Sequence, residues 1–71
     1  MRKVESSNID AIGWTPEHGL KVQFKDKAGN PGNVYHYADV PESVHAALMA
    51  ADSHGKHFLA HIRNNYQAIQ Q

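Results

Sequence analysis

A chain of 71 residues without cysteine has room for one domain and no disulfide to brace it. A chain so short buries only about 60% of the surface its unfolded form exposes, so its core is small. Seven Lys plus Arg balance seven Asp plus Glu, which argues against a dedicated nucleic-acid binder, because neutralising phosphates ordinarily takes a basic excess.

From the N-terminus, residues 1–8 are polar apart from Val4 and read as an extended arm, either frayed or ordered on a partner. Ile9 to Trp14 is the first strand candidate, with Ile12 and Trp14 on one face and Ile9 and Ala11 on the other. Thr15-Pro16-Glu17-His18-Gly19 has turn chemistry. Leu20, Val22 and Phe24 then alternate with Lys21, Gln23 and Lys25, the pattern of a half-buried antiparallel strand. Asp26 to Asn33, rich in Gly, Pro and Asn, reads as a long exposed loop. Val34 to Tyr37 is the third strand, and Tyr35 and Tyr37 share one of its faces.

Beyond the third strand the period changes. Asp39-Val40-Pro41-Glu42 starts a helix, with Pro in the first turn and acids at the positive end of the dipole. Val44, Ala47, Leu48 and Ala51 form its apolar stripe. Asp52-Ser53-His54-Gly55 interrupts, and Ser53 is a natural N-cap for a second helix whose stripe is Phe58, Leu59, Ile62 and Tyr66, extended by Ile69. A run of strands followed by a run of helices is the α+β signature. The expected architecture is a three-stranded antiparallel meander with two helices packed on one face (β-β-β-α-α). The division is an arm over 1–8, one domain over 9–66 and a polar tail over 67–71. Leu20, Val22, Phe24, Val44, Leu48, Phe58 and Ile62 should form the core, leaving the other sheet face open.

These residues resemble the KTSC domain, a family of small domains found at the C-terminus of some lysyl-tRNA synthetases and alone in bacteria and phages. The resemblance is carried by Ser6-Ser7-Asn8-Ile9, Ile12-Gly13-Trp14, Leu20-x-Val22-x-Phe24 and Tyr35-x-Tyr37. Val40-Pro41-x-x-Val44, Ala51-x-Ser53-x-Gly55-Lys56-x-Phe58 and Ile62-Arg63 complete it, so that it spans about Val4 to Tyr66. The loop from Asp26 to Asn33 is longer than the tight turn of the family pattern. The resemblance implies the fold and a suggested RNA-binding role.

Three sets of side chains could carry function. His54, His57 and His61 are spaced to share a helix face, and His57 with His61 is a two-ligand metal pair. Zinc wants four ligands or three plus water, so these stay weak candidates and the expectation is no metal and no cofactor. No phosphate loop and no nucleophile with a matched base is recognisable, which argues against an enzyme. Tyr35 and Tyr37 could stack bases beside Lys21 and Lys25, or pack under the helices with their hydroxyls at the rim. Finally, Arg2, Lys3 and Val4 of the arm, with Lys56 and Arg63 on the second helix, make a protein-facing set.

The expected function is therefore a non-enzymatic interaction module that binds a larger protein machine of transcription or translation, as a phage-type regulator of RNA polymerase does. The alternative is RNA binding through the sheet tyrosines. No apolar run approaches the ~20 residues of a membrane span, and no apolar stretch follows Arg2 and Lys3 as in a signal peptide. The expectation is a soluble, cytoplasmic protein without a membrane partner.

Overall fold

The alternation of Leu20 to Phe24 builds the centre of the sheet. In the computed structural model, which describes residues 1–70, this segment is β3 (Gly19–Lys25), paired antiparallel with β2 (Ile9–Thr15) on one side and β4 (Pro31–Tyr37) on the other. Two short strands extend the sheet at its edges, β1 (Arg2–Lys3) on β2 and β5 (Ala68–Gln70) on β4. The strand order follows the chain, β1-β2-β3-β4-β5. Between β4 and β5 run α1 (Glu42–Ala50) and α2 (His54–His61), whose Leu48 and Phe58 join the sheet residues in one core. The α+β class with an antiparallel sheet and two helices is as expected. The expected three strands are five, because parts of the arm and of the tail add to the sheet.

Register decides the faces. Leu20 pairs with Tyr37 and Val22 with Tyr35, so both tyrosines lie on the helix-covered face, since directly opposed residues point the same way. In β2 the pairing runs Ile9 to Phe24 and then Ala11 to Gln23, which leaves Asp10 as the extra residue of a β-bulge. The bulge shifts the parity of Ile9, so that Ile9 and Ile12 both enter the core instead of facing opposite ways. Asp10 itself is buried, with its carboxylate accepting from Lys3 Nζ at 2.6 Å. The ion pair ties β1 to β2.

The fully enclosed side chains are Ile9, Ile12, Leu20, Val22, Leu48 and Ile62. Phe24 and Val44, expected in the centre, are half-buried at its edge, while Tyr37 and Val40 are inside. Trp14 fixes the entry to α1. Its indole N–H donates to the Val40 carbonyl at 2.7 Å, and its ring stacks on His45 with centroids 6.2 Å apart. α1 therefore turns Val44, His45, Leu48 and Met49 inward, not Ala47, which is exposed; Ala51 lies past its end. Ser53 caps α2, accepting from Lys56 N at 3.3 Å.

The loop after β3 is shorter and more ordered than its composition suggests. The turn occupies Asp26 to Asn30, and β4 begins at Pro31. The Asp26 carboxylate accepts from Ala28 N and Asn30 N, both at 2.9 Å, closing an Asx-type turn. At the tip of the β2–β3 hairpin Gly19 has φ +78°, and a Cβ there would sit 2.5 Å from the Tyr37 carbonyl oxygen. Glycine is required by both the backbone and the neighbour.

Candidate ligand cleft

The strands and α2 frame a concave site of about 560 Å³. One wall comes from β3 and β4, which present Phe24, Tyr35 and Tyr37 because alternation points them to the helix side. The other comes from α2, where Phe58 and Leu59 follow the capped first turn. Phe58 sits edge-on to both Phe24 and Tyr37, with centroids 5.3 Å apart in each case, and Phe24 meets Tyr35 at 5.6 Å. Interplanar angles of 71° to 75° are the edge-to-face geometry that ring quadrupoles favour. Phe58 is buried, whereas Leu59 is 48% exposed, so this wall passes from core to surface within one residue.

Arg63 and Asn64, just beyond α2, give the cleft a polar end. Tyr37 is only 4% exposed, and no protein group accepts from or donates to its hydroxyl among the described residues. Its phenol is held above the ordinary tyrosine value of 10.0, first by burial and then by Tyr35, while the Arg63 guanidinium pulls the other way. A phenol so placed is a neutral donor at physiological pH and a poor base. The lining thus offers aromatic surface, a hydroxyl and a guanidinium, groups suited to holding a ligand.

The structure sorts the residues singled out in the sequence. Tyr35 and Tyr37 do not form an open stacking platform with Lys21 and Lys25. The tyrosines lie under α2, while Lys21 pairs with Gly13 and His36 on the uncovered face. The ammonium of Lys25 is engaged, donating to the Ser6 carbonyl at 2.6 Å. The protein-facing set is also divided. Arg2 and Lys3 are in an edge strand, Lys3 is paired with Asp10, and Val4 packs against the core, so the arm is not free. Of that set, Arg63 reaches the cleft. Lys56 lies instead in a shallow polar groove with Ser6, Asn8, Ser53 and Gly55.

That groove explains why two distant motifs belong together. Ser6 Oγ accepts from Asn8 N and Ile9 N at 3.2 Å each, turning the chain into β2. Gly55 is buried opposite, where a Cβ would stand 3.5 Å from Asn8 Nδ2. Ser6-Ser7-Asn8 and Ser53-x-Gly55-Lys56 are thus the two sides of a packing seam.

The histidines of α2 do not converge on one point. His57 and His61 rings are 4.5 Å apart, but His54 Nδ1 lies 2.9 Å from the Leu48 carbonyl, turned toward α1. Among the described residues no three His, Asp or Glu side chains are placed to hold a metal ion. Burial, His61 and His54, in that order, hold His57 below the ordinary imidazole value. No helix among the described residues is long and apolar enough to cross a membrane.

Sequence reasoning missed Asn8, Asn64 and Ala68 as cleft residues, since polar and small residues at element ends carry no periodic signal. Leu59 was legible only as a member of a core stripe.

Comparison with known proteins covers nearly the whole chain. A family model described as the KTSC domain matches residues 5–66. A protein of Tsukamurella paurometabola is 34% identical over 70 residues, covering 97% of both chains. One from Stutzerimonas stutzeri is 39% identical over 56 residues, 78% of this chain and 72% of that one. A crystal structure of a KTSC domain protein from Yersinia pestis superposes with a TM-score of 0.85 at 32% identity, covering 99% of this chain and 93% of that one.

Proposed function

The chain belongs to the KTSC domain family, and from that premise we propose that it is a non-enzymatic binding module which takes a segment of a larger protein into the cleft between β4 and α2. The observation that carries this reading is the lining itself: aromatic walls that open at Leu59 and end on Arg63. A mostly apolar concavity with few convergent polar groups is the usual form of a binding site. The alternative, RNA stacking on the sheet tyrosines, has less support, because Tyr37 is enclosed and Lys21 lies on the far face. The partner is sought among the machines of transcription and translation, RNA polymerase or a component of translation.

The test is affinity capture from the source cell, with and without nuclease, using the native chain and Leu59→Asp. Leu59 is exposed enough for the substitution to leave the fold intact. A charge on the cleft wall should abolish stoichiometric capture, and nuclease should not affect the native complex. Nuclease-sensitive capture would favour RNA instead, and capture unchanged by Leu59→Asp would remove the cleft from consideration.

A further inference from the structure

Buried phenols ordinarily find a hydrogen-bond partner. The Tyr37 hydroxyl has none among the described residues, although its residue is only 4% exposed. Nor is it sealed off, since His36 Nε2 is the one fully enclosed side-chain polar atom without a partner among the described residues. Tyr37 lines the cleft, together with Tyr35 and Arg63. Arg63 also acts on the Tyr37 phenol, and among the described residues the single ion pair is Lys3 with Asp10, so the guanidinium has no carboxylate partner among them. A guanidinium, which only donates, beside a neutral phenol that can donate favours an anionic acceptor. One guanidinium balances the single charge of a carboxylate, whereas a phosphomonoester would leave charge uncompensated, and a phosphodiester chain is disfavoured by the lack of a basic excess.

We infer that the cleft receives an aromatic side chain together with a neighbouring carboxylate from a protein segment, the ring against Phe58, Tyr35 and Leu59 and the carboxylate on Arg63 and the Tyr37 hydroxyl. This rests on the binding-module reading and names the chemistry its partner presents. The volume of about 560 Å³ accommodates one ring and its backbone.

The test is an NMR titration with capped peptides containing Phe-Glu or Phe-Gln, and with 3-phenylpropionate. The Phe-Glu peptide should shift the cleft amides saturably and bind about tenfold more tightly than Phe-Gln, the effect of one charge-assisted contact. Arg63→Gln should erase that preference. Tyr37→Phe, which keeps the ring, should reduce it while leaving the amide spectrum folded. Equal binding of the two peptides, a preference that survives Arg63→Gln, or no binding at millimolar concentration overturns the inference. Tighter binding of 3-phenylpropionate than of the peptide also overturns it, by making the occupant a free small acid. If the preference fails while Leu59→Asp still abolishes capture, the binding-module reading stands alone. If both fail, neither survives.

Discussion

His36 stands on the uncovered face of the sheet with its Nε2 enclosed and without a partner among the described residues. Three neighbours surround it. Lys21 lies across on β3, His18 from the β2–β3 turn stacks on its ring with centroids 6.1 Å apart, and Ile69 pairs with it from β5. None carries a negative charge to balance a protonated His36. Burial first, then Lys21 and His18, hold the imidazole below its ordinary value of 6.5. The folded chain therefore takes up this proton at lower pH than the unfolded chain does. Stability from a neutral His36 is complete above pH 6.5 and is lost as pH falls through the lowered folded value. His57 acts in the same direction, so His36→Gln should remove only part of the acid sensitivity. Urea midpoints measured at pH 7.5 and at pH 5 should fall less in the variant than in the native chain. Equal falls would mean that the enclosed nitrogen is hydrated in solution.

At the scale of elements, what the sequence could express depended on length and parity. β3 was legible because five alternating residues leave one assignment, and α2 because Ser53 marks its start and Phe58 and Ile62 its inward side. β1 and β5 have two and three residues, too few for any period. They exist because β2 and β4 offer unpaired edges. The parity of Ile9 was misread for a related reason: a bulge at Asp10 breaks the alternation without leaving a composition signal. β5 covers the outer edge of β4, which would otherwise be a template for another chain. Truncation after Gln67 should therefore raise hydrogen exchange at the outward amides within Tyr35–Tyr37, leave those of β3 protected, and increase self-association seen by light scattering. Unchanged exchange across β4 would show that β5 contributes nothing to protection.

At the scale of the whole molecule, the cleft and the core share a wall. Phe58 touches Phe24 and Tyr37 edge-on and is 3% exposed, so the side chain that shapes the site also closes the small core. Deleting a buried phenyl group costs about 3–5 kcal/mol. A domain of 71 residues holds about 4–10 kcal/mol in total at typical stability per residue. Phe58→Ala should then leave the chain largely unfolded or close to it, seen as a collapsed urea midpoint and lost amide dispersion. Phe58→Leu, which keeps most of the apolar volume, should stay folded with a lowered midpoint. A fully folded Phe58→Ala would mean that the helices are held chiefly by Leu48, Ile62 and the Trp14–Val40 bond, and that the aromatic cluster exists for the ligand alone. The expected outcome has a consequence for any study of binding. Loss of function on altering Phe58 or Phe24 cannot separate site from fold, whereas Leu59 and Arg63, both exposed at the rim, can.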